Sequence, residues 1–440
     1  MSKIRLHGTS SGYVEIAPAA AASNNTLTAP STVGEIIAKD AAGAIGITSM
    51  KASNVNVGAA VTITESGIEA SGIGITCANI NGAQIGGRRN LVINGAMMVA
   101  QRGTSSTTSG YETIDRQNAY SSGTDETPTQ AQVDISSGTG PYNEGFRKAL
   151  KFTNGNQTSG AQAGSRVLPQ YKFEAQDLVN SGWNYISSSS FITISFWVKS
   201  SVAQTYYGYF RTQDGTSRIY TYSVALSADT WTKVVKTIPG NSNIQLDNDN
   251  GEGIQWNILI PFAGTSYTDS SVSLNTWNTY ASGTRTPDNT STWYTTNDAT
   301  MEFTGLQAEV GAQATAFEHR SFGDELLRCQ RYYQVLIDGD NTTDSFGNAT
   351  CYNSSSMHFC HQLQPEMRTV PTLDYTTGSN YYNAFQNNTN DTFDTWQLVG
   401  NSNKRTADLM ASSGVSVMSG ASALLRINNA SAKIRFTAEL

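Results

Sequence analysis

The stretch FITISFWVKS, Phe191–Ser200, alternates between two kinds of side chain along its whole length. Ile192, Ile194, Phe196 and Val198 fall on one face, and Thr193, Ser195, Trp197 and Lys199 on the other. Successive side chains of an extended chain point to opposite sides, so this period of two predicts a strand with one face in a core. The pattern recurs. TYYGYFRTQDGTSRIYTYSVAL reads as a hairpin with Asp214-Gly215 at its turn. DTWTKVVKTI, GIQWNILIPF and ATMEFTGLQAEVG supply further strands. Strands separated by Gly, Asn and Ser turns, with no helix repeating between them, predict a β-sandwich. Only 14% of residues are charged, against about a quarter in an average soluble chain. Ser, Thr, Asn and Gly take the difference, which suits sheets better than long solvated helices.

The 440 residues leave room for two or three domains, and texture divides them. Residues 1–89 are rich in Ala, Gly, Ser, Thr and Asn, with alternating pieces at Val55–Val57, Val61–Ile63 and Ile73–Ile75. Strands so short bury little in one chain. Three chains wound together can share them, so the segment reads as a trimeric stalk or anchor, with a disordered linker as the rival reading. Residues 90–320 carry the sandwich pattern. A short helix is expected in 321–334, where Ser321 followed by Asp324 resembles a capping box and Leu326, Leu327, Tyr332 and Tyr333 have helical spacing. Residues 335–440 return to β texture and close on Ile434 and Phe436 alternating with Lys433, Arg435 and Thr437. The expected fold is therefore mainly β: an extended N-terminal segment, a jelly-roll sandwich, one short helix and a C-terminal β domain, in a trimer.

The net charge is -7 and no Lys/Arg block stands out, which argues against nucleic acid as a partner. No apolar run approaches the roughly 18 residues that span a bilayer, so no membrane insertion is expected. The start has no apolar h-region of a secretory signal. Cys77, Cys329, Cys351 and Cys360 are scattered, as in a chain folded in a reducing cytoplasm.

Four segments carry a resemblance. NLVINGAMMVAQRG (Asn90–Gly103), followed by YETIDR (Tyr111–Arg116), resembles the opening of carbohydrate-binding-module-like jelly rolls in bacteriophage tail proteins. FTGLQAEVGAQATAFEHRSFGDELLRCQRYYQ (Phe303–Gln334) is similar to the closing strand and following helix of those proteins. MSKIRLHGTSSGYVEIAP resembles the start of tail fibres from phages of marine cyanobacteria, and PEMRTVPTL with FTAEL resembles their tip domains. The resemblance implies a virion tail fibre or receptor-binding protein, made in the host cytoplasm. It further implies a homotrimer joined to other phage tail proteins through its N-terminal segment. Its outward part would attach to a host-surface glycan of the lipopolysaccharide kind. YETIDRQNAY departs from the family's Asp-Arg-Trp, since Gln117 replaces the aromatic and puts one core contact in doubt.

Sugar recognition needs flat apolar faces for pyranose C–H groups and polar groups for hydroxyls. The candidates are Trp183 with Tyr185, Trp197, the run Tyr206, Tyr207 and Tyr209, Trp277 with Tyr280, and Trp293 with Tyr294. In the C-terminal part they are Tyr381, Tyr382, Phe385 and Trp396. The rival reading of each is core or trimer packing, because such residues are common in strands. LDNDNGEG places Asp247 and Asp249 where oxygens can gather around a structural calcium, although the EF-hand pattern fails and a polar turn explains the same residues. In CYNSSSMHFCH, His358 and Cys360 share a strand face as weak metal candidates. No other cofactor is implied.

No phosphate loop, nucleophile elbow or HExxH occurs, so non-catalytic adhesion is expected. A polysaccharide depolymerase is the first alternative. It needs only two carboxylates about 5–10 Å apart, and Asp125 with Glu126 or Glu302 with Glu309 are available. A purely structural tail adaptor or collar fibre is the second. The cluster Glu318, His319, Arg320, Asp324 and Cys329 looks reactive but reads as helix capping and packing at a joint. Protonation of His319 is expected to loosen that joint.

Overall fold

The computed structural model describes residues 89–339 and 341–440, and the backbone of four short strands before them: Ile4–His7, Tyr13–Ile16, Asn79–Ile80 and Ala83–Gln84. Met1–Ile75 and Thr76–Leu440 form separate units. In the first, Ile4–His7 pairs antiparallel with Tyr13–Ile16. The alternating pieces at 55–57, 61–63 and 73–75 lie outside the described residues. The molecule is mainly β, with 42% of residues in strands and 6% in helices.

The second unit holds two sandwiches. In the first, the six-stranded sheet runs in the order Thr232–Pro239, Phe191–Ser200, Thr300–Val310, Lys148–Thr153, Thr129–Asp134, Ser105–Ser106. The seven-stranded sheet opposes it. Asn118–Ser122 and Phe262–Ala263 both pair with Arg166–Glu174, followed by Glu252–Ile260, Gln204–Thr212, Arg218–Leu226 and Trp277–Thr279. All these pairings are antiparallel. The expected alternation sends Ile192, Ile194, Phe196 and Val198 into the core, where they meet Tyr171, Phe173, Phe210, Tyr222 and Trp256. Trp256 takes Phe196 and Phe210 edge-on at 5.7 and 5.8 Å, and its indole N–H donates to the Tyr222 hydroxyl at 2.8 Å. Thr193 and Ser195, on the opposite face of their strand, are buried as well.

The segment Asn90–Gly103 is bound along the strand Thr300–Val310. The Asn90 amide donates to the Leu306 carbonyl at 3.1 Å, and its oxygen accepts from the Ala308 N–H at 3.1 Å. Asn94 sits at φ 59 and bonds the Val99 N–H, the Val99 carbonyl and the Asp115 carbonyl. Gly95 is needed where it stands, because a Cβ there would lie 2.0 Å from the Leu306 oxygen.

The second sandwich packs a three-stranded sheet (Tyr333–Asp338, Lys433–Thr437, Thr372–Tyr375) on a seven-stranded one. The latter runs Thr389–Phe393, Tyr382–Gln386, Ser422–Ile427, Ser345–Asn353, Ser356–Gln362, Thr406–Ala411, Gln397–Leu398. Ile434 and Phe436 point into its core as the alternation predicted.

Four short helices occur among the described residues, at Gly140–Asn143, Ala175–Val179, Thr292–Thr295 and Phe322–Gln330. The last is the expected one, and the Ser321 hydroxyl accepts from the Asp324 N–H at its start. It ends earlier than its apolar spacing suggests. Tyr333 begins a strand, and Tyr332, rather than Tyr333, joins Cys329 with Ile93 and Val99. The seam between the sandwiches is polar and buried. Arg331 forks onto Glu174 at 2.8 and 2.9 Å, and Tyr332 donates to the same carboxylate. Arg116 lies 3.5 Å from the Tyr332 ring centre and pairs with Glu439. Arg368 donates to the carbonyls of Ala438, Asn250 and Glu439. His319 is not at this seam; it packs on Phe146 and Phe317 in the first sandwich, with its Nε2 2.9 Å from the Glu144 carbonyl.

Candidate functional site

The alternation that turns Tyr206 and Phe210 inward turns Tyr207, Tyr209 and Arg211 to the outer face of the seven-stranded sheet. Register then sets a polar row across that face: Thr221, Tyr209, Asn257, Gln170 and Asn118 are successive cross-strand partners. The Gln170 amide donates to the Asn257 side-chain oxygen at 2.9 Å. Beside the row, Leu168, Tyr209, Ile219, Ile260 and Ala263 make a small apolar patch, and Tyr120, Tyr267 and Tyr280 pack on it.

Tyr267, Tyr280 and Arg285 come from the long segment at 264–289, which contains the short edge strand Trp277–Thr279 and is fastened to the sheet by further hydrogen bonds. The Thr221 hydroxyl donates to the Arg285 carbonyl at 2.7 Å, the Asn275 N–H to the Thr221 carbonyl at 2.8 Å, and the Tyr280 N–H to the Ser217 carbonyl at 3.0 Å. The Arg285 N–H donates to the Tyr267 carbonyl at 3.1 Å.

Three guanidiniums alternate with three phenol rings on this surface. Arg166 lies 5.1 Å from the Tyr120 ring centre and 4.4 Å from that of Tyr267. Arg285 lies 4.6 Å from Tyr267 and 5.7 Å from Tyr280, and Arg211 lies 3.8 Å from Tyr280. Arg166 also donates to the Tyr120 hydroxyl at 2.9 Å. All six side chains are half-buried, as expected for rings with one side on the apolar patch. Burial pushes the Tyr120 phenol up, but bonds from Arg166 and Ser122 and the charges of Arg166 and Arg285 outweigh it and hold it below the usual range. Burial pushes the fully covered Tyr209 phenol up against the opposing pull of Arg285. Clefts of about 210 Å3 (with Phe262, Thr265 and Asp288) and about 200 Å3 (with Ile219, Val272 and Asn278) adjoin the loop.

Of the aromatic candidates, Tyr207 and Tyr280 are half-exposed on this face, and Tyr209 is on the same side of the sheet but only 1% exposed. Trp183, Tyr206, Trp293, Tyr294, Tyr382 and Trp396 are core residues, none more than 2% exposed, and they present no ring face to solvent. Tyr185 and Trp277 pack at the margin of the first core, where the Trp277 indole donates to the Pro239 carbonyl at 2.7 Å. Trp197 is on the polar face of its strand, as expected. It is roofed by Gly140, whose Cβ would stand 2.5 Å from the ring, and its indole donates to Glu144 at 3.0 Å. In the second sandwich Tyr381 is half-exposed, and Phe385 lies 3.9 Å under Arg426. Tyr120, Tyr267 and the three arginines escaped the sequence reading, although isolated arginines in charge-poor strands were a usable signal.

The metal candidates are placed as follows. Asp249 accepts from the Gly251 N–H at 2.9 Å, and the Asp247 N–H donates to Asp214 at 2.9 Å, which makes a polar turn. His358 and Cys360 lie on one strand, with His358 3.0 Å from Asp408 and Cys360 exposed. Among the described residues, no three His, Cys, Asp or Glu side chains gather at one point. Of the paired carboxylates, Glu309 is held by Thr315 and Gln307, and Glu302 pairs with Lys199 at 3.0 Å. Glu126 accepts from the Asn156 N–H, and Asp125 from the Ser159 N–H.

Fold and site together define a two-sandwich antiparallel β protein with a tyrosine–arginine sheet face. No protein-family model and no curated protein matches the chain. Among solved structures it is similar to the enzymatically active domain of tailspike protein 4 from bacteriophage CBA120, at 9% identity and a TM-score of 0.26, over 50% of this chain and 21% of that one. It is similar to a family 16 carbohydrate-binding module (9% identity, TM-score 0.21, 41% of this chain and 84% of that one). It is also similar to the CBM22-1–GH10 modules of the Clostridium thermocellum endo-1,4-beta-D-xylanase 10B (8% identity, TM-score 0.24, 53% and 30%). The chain thus spans less than a third of the tailspike domain and of the xylanase modules.

Proposed function

We propose that this chain is a phage tail fibre that holds a host-surface glycan, without cleaving it, on the outer face of its seven-stranded sheet. The observation that carries the reading is the convergence of half-exposed Tyr120, Tyr207, Tyr267 and Tyr280 with half-exposed Arg166, Arg211 and Arg285 on one face. Phenol rings offer the flat apolar surface that pyranose C–H groups require, at low entropic cost. Guanidiniums supply donors for ring hydroxyls, and the phenol hydroxyls both donate and accept. A homotrimer would present three such faces, and linked weak sites reach high avidity through effective concentration. The tail-fibre assignment is supported by the N-terminal and jelly-roll segments that resemble phage tail proteins.

The test is binding of the purified full chain to host cells and to their extracted surface polysaccharide, with and without Tyr267→Ala. Binding that falls tenfold or more in the variant, with no new reducing ends released, is the expected result. Turnover of the polysaccharide would replace adhesion by depolymerase activity. Absence of binding to both cells and polysaccharide would replace it by a structural tail role.

A further inference from the structure

We infer that the ligand of this face is an anionic glycan, whose acid groups are held by Arg166, Arg211 and Arg285. This rests on the glycan-binding reading and names its ligand class. The chain carries a net charge of -7, so carboxylates are plentiful. Other buried and half-buried arginines take them. Arg102 and Arg116 share Glu439, Arg320 lies between Glu318 and Glu325, Arg331 takes Glu174, and Arg435 takes Asp338 and Asp374. Arg166, Arg211 and Arg285 form no ion pair with any carboxylate among the described residues. The acids on the adjoining loop are engaged elsewhere, Asp269 with Ser271 and Asp288 with Thr268. Arg147, Arg218, Arg368 and Arg426 form no ion pair among the described residues either, but Arg147 and Arg426 each stand singly over one ring, Tyr142 or Phe385, Arg218 donates to the Thr279 hydroxyl, and Arg368 donates to three carbonyls. Among the described residues, only on this face do three such cations join one ladder.

Three permanent charges held together in a partly desolvated site repel one another, and the tyrosine quadrupoles offset that only in part. An anion removes the repulsion. The stacking also prepares the arginines for it. A guanidinium lying over a ring keeps its N–H groups in its own plane; Arg166 gives one to the Tyr120 hydroxyl and Arg285 gives two to Ser282, and the remaining N–H groups can fork onto a carboxylate, sulfate or phosphate oxygen pair. The tyrosines between the arginines then set a sugar ring beside each acid group, so one surface reads both.

The test uses two charged and neutral polymer pairs: polygalacturonate with its carboxyl-reduced form, and dextran sulfate with dextran. The full chain is passed over each immobilised polymer in dilute buffer. Retention on both charged polymers and on neither neutral one is expected. It should weaken at least tenfold in about 0.5 M NaCl, where screening is nearly complete, and at least fivefold in each of Arg166→Gln, Arg211→Gln and Arg285→Gln. Arg285→Lys should keep an intermediate affinity, since charge remains and the fork is lost. Arg405→Gln, an exposed residue paired with Glu366 on the second sandwich, should bind as the parent does. Equal retention on charged and neutral polymers overturns the anionic class and leaves glycan binding standing. Charged-polymer retention untouched by all three Arg→Gln changes overturns the assignment to this face. No retention on any of the four overturns both readings.

Discussion

Gly95→Ala should unfold this protein's first sandwich more readily than any surface change. The new Cβ would stand 2.0 Å from the Leu306 oxygen and 3.1 Å from its carbonyl carbon. Both are backbone atoms of a strand held to Phe191–Ser200 just before and just after this point, so no side chain can swing away to make room. An ordinary carbon–oxygen contact is about 3.3 Å, so the segment must lift off the strand by more than an ångström. That opens the 2.9 Å bond from the Leu306 N–H to the Gly95 carbonyl and the 3.1 Å bond from the Asn90 amide to the Leu306 carbonyl. Each buried bond lost leaves groups unpaired at about 1–3 kcal/mol, and overpacking adds about 1–3 kcal/mol. The expected loss is therefore on the order of 3–9 kcal/mol. Calorimetric melting of the full chain measures it, with Gly323→Ala as the comparison. A Cβ at Gly323 meets nothing within 4 Å and lies inside a helix, so that change should stabilise by about 0.5–1 kcal/mol. If Gly95→Ala melts within about 0.5 kcal/mol of the parent, the range of neutral surface changes, the close approach is refuted.

Further outcomes can be stated for buried polar groups. Burial pushes the Glu174 carboxyl up, but its bonds to Arg331, Tyr332 and Gln176 outweigh that and hold it below the usual range. Its contribution is thus present above the unfolded carboxylate range and lost as pH falls through the folded value. Glu174→Ala at pH 7 should cost about 3 kcal/mol, the low end for a broken buried pair because Arg331 is 31% exposed; a melting point independent of pH in the parent and unchanged in the variant would contradict this. Asp115 moves the other way: burial, opposed by Arg102 and Gln101, pushes it up to about 6. Its stabilising effect is complete below pH 4 and disappears as pH rises through 6, so Asp115→Asn should gain on the parent by roughly 2–3 kcal/mol between pH 4 and pH 8. A constant difference between the two melting points across that range would show that Asp115 ionises normally. Gln117 is 1% exposed and neither polar atom of its amide has a partner among the described residues. Gln117→Met should stabilise by about 1–2 kcal/mol, and urea midpoints that do not rise would show that the amide is satisfied.

The strand-period alternation at Phe191–Ser200 and Lys433–Thr437, the Asp214-Gly215 turn and the Ser321 cap were all readable, because each is a local relation between near neighbours. Period two states which side chains share a face. It does not state what covers that face. Trp197 stands on the polar side of its strand, yet the segment around Gly140 and Glu144 roofs it. Trp293 and Tyr294 lie in polar, loop-like sequence, yet a short helical turn carries them into the core. Tyr120, Arg166, Tyr267, Arg285, Tyr280 and Arg211 come from three strands and one long segment. They become a ladder only when cross-strand register and the segment at 264–289 bring them together. The sequence by itself determined which residues form strands and which strand faces turn inward, since those follow from backbone geometry over a few residues. The tertiary structure alone decided which outward faces stay open and which charges go unpaired, because both depend on contacts between segments far apart along the chain.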